Sequence, residues 1–132
     1  MDIPTSPAKK ILVIEDDQFL RDLYHEILTG AGYMVDLAED GETGFDRFHQ
    51  GGYDLVLLDI MLPKMDGLAI LKKAVAEPPL IPNKAVIVLS NLGQESVIAD
   101  AIDLGARGYM IKSELTPDQA LNEIRSYLTD SP

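Results

Sequence analysis

Almost from end to end, the chain alternates between short apolar runs and longer amphipathic stretches, and this restricts the folds open to it. Ile11-Leu12-Val13-Ile14 is a continuous run rich in β-branched residues, the pattern of a strand covered on both faces. Phe19, Leu20, Leu23, Ile27, Leu28 and Ala31 follow at spacings that place them on one face of a helix, with Gly30 and Gly32 as a stop. Met34 to Ala38 predicts a second strand and Asp40-Gly41 a turn, after which a short helix carries Phe45 and Phe48 inward. Leu55-Val56-Leu57-Leu58 predicts a third strand that ends in Asp59.

The second half repeats the pattern. Gly67 to Ala76 reads as a helix with Leu68, Leu71 and Val75 inward, broken by the extended loop Glu77-Pro78-Pro79-Leu80-Ile81-Pro82. Ala85 to Leu89 predicts the fourth strand and Gly108 to Ile111 a short fifth. Between them, Glu95 to Leu104 reads as a helix with Val97, Ile98, Ala101 and Ile102 inward. Thr116-Pro117-Asp118-Gln119 has the chemistry of a helix start, with Thr at N-cap, Pro at N1 and Gln at N3. Ala120, Leu121, Ile124 and Leu128 form that last helix's buried face.

Five strands alternating with five helices predict an α/β fold, a doubly wound parallel sheet covered on both sides by right-handed crossovers. At 132 residues there is room for one domain, which buries about two-thirds of its unfolded surface. Residues 1–9, with two prolines and no periodicity, are expected to be a flexible leader, 10–128 the domain and 129–132 a tail. Without cysteine, a disulfide framework, a thiolate metal site and a Cys nucleophile are excluded. A net charge of −11 argues against nucleic acid or an anionic membrane as a direct partner. The longest apolar run, Ala85 to Leu89, is far below the ~18 residues of a membrane span. The N-terminus lacks the apolar core of a signal peptide, so the expected location is cytoplasmic.

In such sheets the chemistry sits at the carboxyl ends of the strands. The first strand runs into Glu15-Asp16-Asp17, the third ends in Asp59, the fourth reaches Ser90 and the fifth leads to Lys112. Taken singly these have ordinary roles, an acid as helix N-cap or a solvated lysine. Together they put several carboxylates, one hydroxyl and one ammonium on one rim. Crowded carboxylates raise the pKa of at least one of their number unless a cation intervenes. Mg²⁺ typically takes one or two carboxylates and fills the remaining positions with phosphate and water.

Over roughly Lys10 to Leu128 the chain resembles the receiver domain of two-component response regulators. The motifs that carry the resemblance are Ile11-Leu12-Val13-Ile14-Glu15-Asp16-Asp17, the run from Asp54 through Asp59, Pro63 and Lys64 to Gly67, Val88-Leu89-Ser90, and Gly105 through Tyr109 to Lys112. It implies a flavodoxin-like sheet in the order 2-1-3-4-5. Carried over by position, Asp59 is the phospho-acceptor, and Asp16, Asp59, the Met61 backbone carbonyl and, through water, Glu15 hold Mg²⁺, with Mn²⁺ an alternative. Ser90 and Lys112 bind the phosphoryl oxygens, and Ser90 with Tyr109 forms the switch. Asp17 is left as an N-cap or first-turn residue. The implied donor is a histidine kinase or histidine phosphotransfer domain. The implied output is a downstream protein, or a second copy in a homodimer, at the face of the fourth helix, fifth strand and fifth helix. The only catalysis implied is of the domain's own phosphorylation and dephosphorylation, so it is no enzyme toward other substrates. No effector domain is expected after Leu128.

Two positions depart from the family's pattern. Ser113 stands where a proline with a cis bond usually aims the lysine, leaving the geometry of the Lys112-Ser113 bond open. Asn91 replaces a usually small residue, and Met61 with Leu92 is expected to flank the site and limit water's approach to a phosphorylated Asp59. His25 and His49 are expected to be solvated, Arg107 to lie on the surface, and Tyr24, Tyr53 and Tyr127 to pack partly buried. Three other readings are a haloacid dehalogenase-type phosphatase, a nucleotide binder and a degenerate receiver that acts without phosphorylation. The first lacks an acid at Met61, and the second lacks a phosphate loop after the first strand.

Overall fold

The computed structural model describes residues 8–129. Residues 1–7 of the expected leader and 130–132 of the expected tail lie outside the described residues. Five strands alternate with five helices: β1 (Lys10–Ile14), α1 (Gln18–Gly30), β2 (Met34–Ala38), α2 (Gly41–Gln50), β3 (Leu55–Asp59), α3 (Gly67–Ala76), β4 (Val86–Ser90), α4 (Glu95–Asp103), β5 (Gly108–Ile111) and α5 (Pro117–Thr129). A single 3₁₀ turn, Lys112–Glu114, joins β5 to α5. The strands form one parallel sheet in the order β2-β1-β3-β4-β5, as expected. Relative to the sequence reading, β4 begins and ends one residue later, α4 stops at Asp103 and α5 continues through Thr129.

Alternate residues of each buried strand face opposite layers. Leu12, Ile14, Val56, Leu58 and Val88 pack under α2, α3 and α4, against Phe45, Phe48, Ile70, Leu71 and Ile98. Ile11, Val13, Leu55, Leu57, Ile87 and Leu89 pack under α1 and α5, against Tyr24, Leu28, Ile124 and Leu128. Each such side chain withdrawn from water contributes about 1.5–3 kcal/mol. Burial on both sides is why these strands read as continuous apolar runs.

Three residues expected to face inward are instead exposed: Phe19, Val75 and Ile102. Each lies on the flank of its helix's inner stripe rather than on it. In α1 the stripe runs through Leu20, Tyr24, Ile27 and Leu28, and in α3 through Gly67, Ile70, Leu71 and Ala74. In α4 it centres on Ile98 and Ala101.

The helix starts follow local chemistry. Asp17, Asp40 and Asp66 are N-caps whose carboxylates accept from the N–H groups of Leu20, Thr43 and Ala69. Asp40-Gly41, read as a turn, is thus the start of α2. Thr116 and Gln119 close the expected reciprocal cap: Gln119 N–H donates to Thr116 Oγ1 at 3.2 Å, and Thr116 N–H to Gln119 Oε1 at 2.9 Å. Gly41 N–H donates to Pro63 O at 3.2 Å, and a Cβ at Gly41 would collide with the carbonyl of Met65. The loop after β3 is therefore pressed against the first turn of α2.

On the far side of β1, Tyr53 O–H donates to Asp36 Oδ2 at 2.7 Å. Burial, and then the Asp36 carboxylate, push the Tyr53 phenol up to about 12. The fold thus favours the protonated phenol, a contribution complete below the ordinary value of 10.0 and lost as pH rises toward 12. Urea unfolding across that window is expected to lose stability less steeply in Tyr53→Phe than in the parent.

Candidate functional site

The sheet register brings the predicted residues to one rim. Ile14 lies beside Leu58, Asp59 beside Leu89, and Ser90 beside Ile111, so the residues that follow these strands share an edge. There Lys112 Nζ donates to Asp59 Oδ2 at 2.8 Å and to Glu15 Oε1 and Oε2 at 3.0 Å each. Glu15 and Asp59 are buried, whereas Asp16 is exposed. Single carboxylate oxygens of Glu15, Asp16 and Asp59 lie within 4.8 Å of one another.

Burial, followed by the neighbouring Asp59 carboxylate, raises Glu15 to about 8 despite the opposing pull of Lys112. Burial alone would lower Lys112, but its bonds to Asp59 and Glu15 prevail and raise it. Tyr24, buried beneath the site, is raised by that burial and by the Glu15 charge. One ammonium against three acids leaves the rim short of positive charge.

Backbone contacts hold the acids in place. Met61 N–H donates to Asp59 Oδ1 at 3.0 Å, and Gly67 N–H to Ile60 O at 2.9 Å. A Cβ at Gly67 would stand 2.6 Å from Asp59 O and 2.9 Å from Ile60 Cα, so α3 can start this close only at glycine. Arg21, unremarked in the sequence, reaches back from α1. Its Nη1 donates to the carbonyls of Glu15 at 3.0 Å and Asp16 at 3.2 Å. An arginine five residues beyond an acid pair gives no sequence signal of this; only the helix turn brings it back.

The cleft, about 470 Å³, is lined by Glu15, Asp16, Asp17, Leu20, Asp59, Met61, Asn91, Lys112 and Ser113. Ser90 is buried behind it, its Oγ 2.8 Å from Gln94 Oε1 and 3.0 Å from Asn91 O. Leu92 was expected to flank the site with Met61. It lines instead a neighbouring cavity with Gln94, Ile98 and Tyr109, and Asn91 takes the rim position. The reversal of the chain at Gly93, φ 86°, accompanies that placement. Tyr109 is half exposed on β5. The Lys112-Ser113 bond is trans, since no cis peptide occurs among the described residues, and the lysine reaches both acids all the same. His25 is exposed, but His49, expected to be solvated, is half-buried and stacks on Phe45 with centroids 5.6 Å apart.

A doubly wound parallel sheet with an acid triad and a lysine at its carboxyl edge defines a flavodoxin-like α/β protein whose three carboxylates stand close enough together that they could hold a metal ion. The sequence profile of the response regulator receiver domain matches residues 11–125, and the chain belongs to that family. It is 36% identical over 128 residues to the chemotaxis protein CheY of Treponema pallidum, covering 95% of this chain and 86% of that protein. It is 40% identical over 116 residues to the transcriptional regulatory protein DltR of Streptococcus agalactiae, covering 88% of this chain but only 50% of DltR. Among solved structures, a CheY-like receiver domain protein from Methanospirillum hungatei superposes with a TM-score of 0.79 at 28% identity, over 92% of this chain and 94% of that one. Among the described residues, no helix is long and apolar enough to cross a membrane.

Removing the ammonium leaves the buried Asp59 carboxylate without its cation, beside a Glu15 that loses the one neighbour holding it down from above about 8. Lys112→Met is expected to lower stability by about 3–5 kcal/mol near neutral pH, read by urea unfolding. Adding Glu15→Gln should recover part of the loss only at pH above about 8, where Glu15 would otherwise have to ionise beside Asp59.

Proposed function

We propose that this receiver domain accepts a phosphoryl group on Asp59 from a phosphohistidine of a histidine kinase or phosphotransfer domain, with Mg²⁺ bound beside it. The observation that carries the reading is the Lys112 ammonium set between Glu15 and Asp59 on the wall of an open cleft, with the Asp16 carboxylate exposed beside them. An Asp59 carboxylate oxygen attacks phosphorus, the P–N bond breaks, and its electron pair leaves on the imidazole nitrogen. Little covalent chemistry is asked of the protein, which positions groups and neutralises charge. Lys112 follows the developing negative charge and pairs with a phosphoryl oxygen once Asp59 carries the acyl phosphate.

The donor set fits a small hard cation: three carboxylates, one of them exposed, and no sulfur or imidazole among them. Asp16, Asp59 and the Met61 carbonyl would bind it directly. Glu15, whose two oxygens already accept from Lys112, would bind it through water. When bound, Mg²⁺, or Mn²⁺ in its place, offsets the charge of the carboxylates and of the arriving phosphoryl group. Ser90 and Tyr109 serve as the switch, and the face of α4, β5 and α5 meets a downstream protein or a second copy. On this reading the domain acts in the cytoplasm and catalyses only its own phosphorylation and dephosphorylation.

Incubation with acetyl phosphate and Mg²⁺ is expected to give a hydroxylamine-labile mass gain. The gain should disappear in Asp59→Asn and fall sharply when the metal is withheld or in Asp16→Ala. A gain that persists in Asp59→Asn would refute the assignment. Met61, half exposed on the cleft, screens the acyl phosphate from water. Met61→Asn should therefore speed its decay, while Leu92→Glu, on the neighbouring cavity, leaves the decay rate close to the parent's.

A further inference from the structure

We propose that Gln94 is a positioning residue, a latch whose carboxamide holds the Ser90 hydroxyl and the Asn91 N–H away from the acidic cleft until a phosphoryl oxygen draws them off. The proposal rests on the reading of Asp59 as the phospho-acceptor.

Gln94 immediately precedes α4, and its carbonyl accepts from Ile98 N–H at 3.0 Å, the first bond of that helix. A residue in this place commonly caps the helix with its own side chain. Gln94 makes no such bond. Its side chain turns back toward the end of β4, where Oε1 lies 2.8 Å from Ser90 Oγ and 2.8 Å from Asn91 N. One neutral oxygen therefore accepts from two of the donors at the end of β4, the Ser90 hydroxyl and the Asn91 backbone N–H. Gly93, at φ 86°, gives the backbone the reversal that closes this loop on itself.

Ser90 is 1% exposed and does not line the cleft, although its neighbour Asn91 does. Its other close acceptor, Asn91 O at 3.0 Å, belongs to the same loop. The hydroxyl has one proton, and in this arrangement the proton is committed locally. An anionic phosphoryl oxygen is a stronger acceptor than a carboxamide, so exchange toward it is downhill. The latch sets how much of that advantage is consumed in breaking the local bonds. Gln94 also walls the cavity it shares with Leu92, Ile98 and Tyr109, so its release alters the surface beside Tyr109 in the same movement.

The test uses the full chain and beryllium fluoride with Mg²⁺, a phosphoryl mimic titrated by calorimetry. Replacing the carboxamide with an apolar chain of similar length, Gln94→Met, is expected to tighten binding by about three- to tenfold, the range of one ordinary hydrogen bond. Gln94→Ala, which adds no bulk, should tighten it as well. In a Ser90→Ala background the same substitutions should gain markedly less, because one of the two latched donors is gone. A residue that merely supports the fold would move the melting temperature without this coupling to Ser90. Equal affinities for the parent and both Gln94 variants, or an undiminished gain in Ser90→Ala, would overturn the latch. If the parent takes up no beryllium fluoride, the reading of Asp59 itself falls and the latch with it. Binding by the parent that neither Gln94 variant alters removes the latch alone.

Discussion

The pairing of Lys112 with Glu15 and Asp59 is the contact on which the site depends. Three strands must end in register for one Nζ to stand 2.8 Å from Asp59 and 3.0 Å from both oxygens of Glu15. Such a cluster adds little to stability, because taking charges out of water cancels much of their attraction. What it supplies is position. Glu15 sits fully buried and is driven up to about 8 by that burial and by Asp59, although Lys112 pulls the other way. The excess of negative charge that remains makes the rim receptive to a further cation, and the open wall at Asp16 gives that cation an approach.

The sheet was legible because strands covered on both faces must be apolar throughout, which makes runs such as Leu55 to Leu58 stand out against amphipathic helices. Caps were legible for a similar reason: Thr116 and Gln119 satisfy each other within one turn, so their spacing carries the whole interaction. Helix periodicity located each inner stripe but not its edges. One residue is 100° of rotation, enough to put Phe19, Val75 and Ile102 in water. The strand-end acids and Lys112 could be gathered on one rim by topology alone. The reach of Arg21 to the Glu15 and Asp16 carbonyls could not, nor could the fold of Gln94 back on Ser90, because both depend on side-chain rotamers. Leu92 was misplaced because the turn at Gly93 decides which cavity the loop faces.

The relatives share this unit in different settings. The chain matches most of a CheY but half of DltR. Here the acids stand on the wall of the cleft, while half-exposed Tyr109 and exposed Leu92 lie on the cavity next to it. Gln94 lines that cavity and bonds to the end of β4, so site and surface are separated by a single loop.

The two loops that frame the cleft are built differently, and this gives a change of charge at Asp59 a direction. The loop after β3 is clamped by backbone against backbone: Gly41 lies on Met65 and Gly67 on Asp59 with no space even for a methyl group. Lys64 in that loop is held at φ 69°, a conformation a side chain rarely accepts unless its surroundings enforce it. The loop after β4 is held by bonds to one side-chain oxygen and turns at a glycine. Close packing resists displacement on every side, whereas hydrogen bonds to a neutral carboxamide can be exchanged for better ones. On the reading proposed above, a new anion between these loops would leave the Asp59 side where it is and draw the Ser90 side toward the cleft, off its bonds to Gln94 at the start of α4.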